Sequence, residues 1–137
     1  MKIAARFPIA VHTLLCIDYF AGKERTTSDF LAGSVNVNPV IIRQTLQKLK
    51  AAGLVEVDRG VGGAHLAKPA DEITLLDVFN AVQAVDGSLF GFHDSPNPEC
   101  PVGRAIQPLL GEKLGEAQAA LEGQLAQTTL ADLVARV

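Results

Sequence analysis

Ile42, Leu46 and Leu49 recur at i, i+4 and i+7, the spacing of one buried face of a helix. Asn38 is a good N-cap and Pro39 a good first helical residue, so the pattern predicts a helix over residues 40–52, stopped by Gly53. Its opposite face carries Val40, Arg43, Gln44 and Gln47, with Lys48 and Lys50 on the flanks. Ahead of it, residues 26–32 read as a short capped helix and residues 33–37 as a turn. Behind it, residues 54–57 and 64–67 read as two strands joined by the glycine-rich tip 58–63. Helix, tight turn, second helix and hairpin together make the winged helix-turn-helix, whose second helix enters the DNA major groove.

The remaining pattern is also helical. Residues 8–20 form a first helix, with Ile9, Leu14, Ile17 and either Phe20 or Ala21 inward. Thr74 and Asp77 have the spacing of a capping box, opening a helix over residues 75–85 with Leu75, Val78, Phe79 and Val82 inward. Pro96, Pro98 and Pro101 preclude regular structure before residue 102. A long helix over residues 102–125 follows, with Ile106, Leu109, Leu110, Leu114, Ala117, Leu121 and Leu125 on one stripe. One small domain cannot cover so long a stripe, but a second copy can, so these positions are read as a dimerisation face. Residues 128–134 read as a short capped closing helix. The expected fold is mostly α with a small β-hairpin. A winged helix-turn-helix domain spans residues 1–86, with its wing at 55–67. An irregular, sensor-like loop spans 87–101, and the dimerisation and closing helices span 102–137.

Composition first argues against a nucleic-acid partner, because the 137 residues carry a formal net charge of −3. The distribution reverses that. Residues 1–70 hold nine Lys/Arg against five Asp/Glu, giving +4, while residues 71–137 hold three against ten, giving −7. A basic half bearing the motif and an acidic half without it orients a protein on a polyanion. The apolar stretch from Phe7 to Ala21 is interrupted by His12 and Asp18 and is too short and polar to span a bilayer, so a cytoplasmic protein is expected. Free thiols are then the default for Cys16 and Cys100, although a disulfide between them stays open.

Arg43, Gln44 and Gln47 are the candidates for base contacts. Arg grips the G O6/N7 edge with two hydrogen bonds, and Gln does the same on A N6/N7. Thr27, Asn38, Pro39, Val40, Thr45 and Lys48 lie where neighbouring contacts to DNA are expected. From the wing, Arg59 is a candidate for the minor groove or a phosphate. Gly60, Gly62 and Gly63 either admit phosphates to the backbone or simply permit a tight hairpin. Lys2, Arg6 and Lys68 are plausible phosphate neighbours. His12 and His65 read as packed or hydrogen-bonded residues, and Cys16 as a small core residue. No metal-ligand spacing and no nucleophile–base motif is present, so neither a metal site nor an enzyme is expected. A winged-helix module that binds an acidic protein in place of DNA is the competing class.

Several stretches resemble the Rrf-two (BadM-type) family of winged-helix regulators. They are Arg6-Phe7, residues 9–12, Asn38-Pro39-Val40, residues 46–55, residues 59–63, residues 66–69 and residues 72–78. The resemblance covers nearly the whole chain. It implies a homodimeric transcription factor, usually a repressor, on a palindromic double-stranded operator. Some branches of that family hold an iron–sulfur cluster on three closely spaced cysteines before the long helix. Only Cys100 stands there, and His93, Asp94 and Glu99 are poor substitutes for thiolates, so no cofactor is expected. The run from Cys100 to Gly103 is more similar to the cluster-free branch, which implies Cys100 as a redox-sensing thiol. A helix start beside it would favour the thiolate, the negative charge of Glu99 opposes it, and an inert loop thiol is the alternative.

Overall fold

The computed structural model describes residues 5–60, 62–84 and 89–137. Its element order is α1 (Arg6–Tyr19), α2 (Ser28–Val35), α3 (Pro39–Ala51), β1 (Val55–Val57), β2 (Ala64–Leu66), α4 (Leu75–Ala81), α5 (Pro101–Leu125) and α6 (Leu130–Val134). β1 and β2 pair antiparallel in the register Val55 to Leu66, Glu56 to His65 and Val57 to Ala64. The mostly helical fold with one hairpin is as expected from the periodicity.

The core is aliphatic and draws on almost every element. Leu14 and Ile17 of α1, Leu31 of α2, Ile42 and Leu49 of α3, Val55 of β1, Val78 of α4 and Leu130 of α6 are all inaccessible to solvent or nearly so. Each such side chain contributes about 1.5–3 kcal/mol through burial. On α1 the inward face is Ala10, Thr13, Leu14, Cys16 and Ile17. Phe20 packs partly against the core, and Ala21 is exposed.

Two boundaries differ from the sequence expectation for local reasons. Gly33 does not end α2. The helix runs on to Val35 and is closed by Asn36 in the left-handed conformation (φ 63°), whose N–H reaches the Ala32 carbonyl. Asn tolerates that conformation better than other side chains do, so Asn36 supplies the C-cap and Gly33 stays helical. The fourth helix is shorter than its pattern, ending at Ala81 with Gln83 at φ 49°. The residue expected to end it, Val85, lies outside the described residues.

The guanidinium of Arg6 sits at that early stop. Its Nε donates to the carbonyls of Val82 (2.9 Å) and Gln83 (2.8 Å), and a second nitrogen also reaches Gln83. Arg6 therefore satisfies orphan carbonyls at the C-terminus of α4. Its expected place beside a phosphate is corrected: the side chain is committed to tying α1 to α4.

The C-terminal helix returns to the same core. Thr74 and Thr129 each open a helix with a complete capping box, to Asp77 and Asp132. The two caps lie side by side: Leu75 N–H donates to Thr128 O and Leu130 N–H to Ile73 O, both at 2.9 Å. This short antiparallel bridge places Leu130 in the core, with α6 packed against α1.

Candidate nucleic-acid interface

The geometry of the interface begins with the caps. Thr27 Oγ1 accepts from Phe30 N–H at 3.1 Å and opens α2. Only Asn36 and Val37 then separate α2 from the Asn38 cap, whose Oδ1 accepts from Val40 N–H at 2.9 Å. Pro39 occupies the first turn of α3, where its missing N–H costs no hydrogen bond. The tight turn sets α3 across α2 with Ile42, Thr45, Leu46 and Leu49 buried.

The outward face of α3 is what the periodicity implies. Val40, Arg43, Gln44, Gln47 and Lys48 are all exposed, and Asn38 is exposed beside them. Lys48 and Lys50 fall in the last turn, where cations complement the helix dipole. Arg43, Gln47 and Lys50 border a groove closed by Ser28, Leu46 and Val57, so the recognition helix and the first wing strand share one continuous surface. Thr45 does not belong to it. It is buried, and its hydroxyl donates to the Ile41 carbonyl at 2.8 Å, which corrects its expected place among the contacts to DNA.

The wing is fastened by a residue that periodicity did not single out. Thr26 is only 4% exposed; its Oγ1 donates to Ala64 O at 2.7 Å, and its carbonyl accepts from Ala64 N–H at 3.0 Å. Adjacent threonines thus divide the work, Thr27 capping α2 while Thr26 pairs with β2. The doublet is visible in the sequence, but the pairing needs the fold. Gly63 follows from this close approach: at φ 116°, a Cβ there would lie 3.1 Å from Arg25 Cγ. Gly60 and Gly62 are also at positive φ, 79° and 75°, so the hairpin itself demands glycine at the tip. Arg59 is exposed there. His65 stands between the two wing carboxylates, its Nε2 3.0 Å from Glu56 and its Nδ1 3.4 Å from Asp58. Lys68 is exposed beyond the wing, and Lys2 lies outside the described residues.

Cys100 is the N-cap residue of α5, half-buried and free. Asn97 shapes its loop, accepting from Cys100 N–H at 3.2 Å through its carbonyl and from Glu99 N–H at 3.0 Å through its side chain. Gly103 lets this loop lie on the helix, since a Cβ there would overlap the Asn97 carbonyl. Cys16 is buried and free, its thiol donating to Ser34 Oγ at 3.2 Å, while His12 Nε2 lies 2.9 Å from the same oxygen. No residue of α5 is buried. Leu109 and Leu110 are exposed, as is Ala117, while Ile106, Leu114 and Leu121 are half-covered.

Comparison with known proteins gives this arrangement a family. Residues 3–136 match the Rrf2 family, described as iron-dependent transcriptional regulators. The chain is 41% identical to YwnA of Bacillus subtilis, an HTH-type transcriptional regulator by name, over 132 residues covering 96% of both proteins. A solved structure described as a DNA-binding protein is 38% identical, with TM-score 0.74 over 93% of this chain and 97% of its own. Another, described as a transcriptional regulator from Lactobacillus plantarum, is 28% identical, with TM-score 0.80 over 96% and 88%. The family and these relatives are regulators, not enzymes. The iron in the family description finds no matching donor set: among the described residues no three His, Cys, Asp or Glu side chains gather as metal ligands. The loop before α5 offers one thiol, which does not fit a thiolate-held cluster. By sequence match along nearly its whole length and by fold, the chain belongs to the Rrf2 family of helix-turn-helix transcriptional regulators.

Proposed function

We propose that the protein is a homodimeric repressor that binds a palindromic operator in the cytoplasm, holds no iron–sulfur cluster and responds to oxidants through Cys100. The observation that carries the DNA-binding part is the two-sidedness of α3. One face is buried in the core, and the other presents Val40, Arg43, Gln44 and Gln47 beside the wing. In this reading α3 enters the major groove. Thr27, Asn38, Pro39 and Lys48 lie along the adjoining backbone, and Arg59 with Gly60, Gly62 and Gly63 flanks it from the wing. Affinity falls steeply with salt, because Lys and Arg displace condensed counterions.

The dimer is supported by the apolar length of α5, where Val102 is 70% and Leu109 65% exposed. Ile106, Leu109, Leu110, Leu114, Ala117 and Leu121 would be covered by a second copy. A shallow apolar groove formed by Phe7, Val11, Leu15, Leu75 and Leu133 offers further surface for it. Two half-sites would then fall on one face of the duplex, one turn of about 34 Å or a multiple apart. The redox step is a thiol reaction. The Cys100 thiol gives up its proton and its sulfur attacks one oxygen of a hydroperoxide; the O–O bond breaks, sulfenic acid forms, and the departing oxygen takes up the proton to leave as water or an alcohol. A second thiol can then displace water to give an intersubunit disulfide.

The test is selection from a pool of genomic fragments at fixed salt, with reduced and mildly oxidised protein compared. A palindrome enriched by reduced protein, lost on oxidation and retained by oxidised Cys100→Ser, is the expected result. Enrichment indifferent to oxidation removes the sensor role and keeps the regulator. No enrichment in either state overturns operator binding in favour of a protein-interaction module.

A further inference from the structure

The outer crest of α3 has an unusual chemical make-up for a DNA-facing surface. Val40 is 49% exposed and its neighbour Ile41 40%, although both are β-branched apolar residues at the first turn. Val40 and Gln44 are one helical turn apart and stand on the same face, with Gln47 beside them. α3 contains no Asp or Glu at all. Of its cations, Arg43 stands at the edge of the crest, and Lys48 and Lys50 lie further round the helix.

The major groove presents four distinct edges, and these side chains match only some of them. Thymine alone carries a 5-methyl group, which takes an apolar contact. Adenine presents N6–H₂ and N7, which a glutamine amide meets with two hydrogen bonds. The cytosine N4–H₂ donor is met best by a carboxylate. The crest has the methyl-contacting group and the adenine-contacting group, and the helix has no carboxylate for cytosine. Packing within the protein does not account for Val40: the first buried position of α3 is Ile42, two residues on, while Val40 and Ile41 are both exposed. The Asn38 cap and Pro39 hold the first turn firmly, so the isopropyl group is presented on a rigid element.

We infer that the centre of the recognition helix reads A·T pairs, Val40 packing on a thymine 5-methyl and Gln44 gripping an adenine close to it, with guanine left to Arg43 on the flank. This rests on the DNA-binding reading above and adds to it the base identities within each half-site.

The experiment uses the full-length protein and the duplex it selects from random sequence. Each thymine is replaced in turn by deoxyuridine, which removes only the methyl, and each adenine by 7-deazaadenine, which removes only N7. In each half-site one deoxyuridine should weaken binding about fourfold, the value of one buried methyl. Val40→Ala should bind thymine and deoxyuridine duplexes alike at that position. One 7-deazaadenine should weaken binding by about fivefold or more, and Gln44→Ala should abolish that difference. Val40 and Gln44 are exposed, so both variants keep the core, and an unchanged unfolding transition verifies it. Tolerance of deoxyuridine at every thymine, or a penalty that Val40→Ala leaves undiminished, overturns the inference. Failure to select any duplex instead removes the DNA-binding reading beneath it.

Discussion

Thr26 shows how much one buried hydroxyl decides here. Its bond to Ala64 O sets the wing against the start of α2, and the acceptor has left water to make it. Thr26→Val keeps the shape and removes the donor. It should lower stability by about 1–3 kcal/mol in chemical denaturation, the cost of a buried carbonyl left unpaired. An unchanged midpoint would mean that the wing does not depend on this bond. The caps at Asn38 and Thr74 were legible in the sequence because a cap is a local pattern of a few residues. Thr26, Arg6 and Gly103 were not. Each acts on a group that only the tertiary fold brings near: the Ala64 carbonyl, the end of α4 and the Asn97 carbonyl. Thr45 was misread for the related reason that periodicity gives a face but not its width. It lies at the margin of the buried stripe, and the hydroxyl turns back to the helix.

At the scale of elements, α3, the wing and α5 were legible because their apolar spacing and glycine or proline punctuation agree. α2 was read too short because Gly33 looked like a stop, while the αL residue that ends the helix is Asn36. α5 itself is an element of low intrinsic stability. Pro108 removes one internal hydrogen bond, and Gly103, Gly111, Gly115 and Gly123 weaken the rest. A 25-residue helix of this make-up, with no buried residue of its own, gains most from packing against another surface. Leu114→Glu places a charge in the half-covered centre of the stripe. Sedimentation should then report a monomer, and operator affinity should drop because two half-sites no longer act together. A Leu114→Glu dimer of wild-type affinity would exclude this face as the interface.

For the molecule as a whole, the fold joins the two ends of the sequence more closely than the pattern of elements suggested. The core that supports the recognition helix includes Leu130, held there by the bridge between Thr74 and Thr129. Leu130→Ala should cost about 2–5 kcal/mol, the usual range for emptying a buried leucine site. Thermal unfolding followed at α1–α3 and at α6 should shift together, whereas a shift confined to α6 would show the two to be independent. The charge asymmetry was legible, since it is a count along the chain, but the return of α6 to α1 depends on long-range pairing that no local pattern encodes.

The same bridge has a bearing on biosynthesis. A ribosome that has released residues 1–86 has released every side chain assigned here to DNA, yet the core beneath them still lacks Leu130. The core beneath that surface is fully packed only once α6 has docked Leu130 into it. A chain cut short before α6 therefore carries the helix-turn-helix sequence without the leucine that completes the packing beneath it.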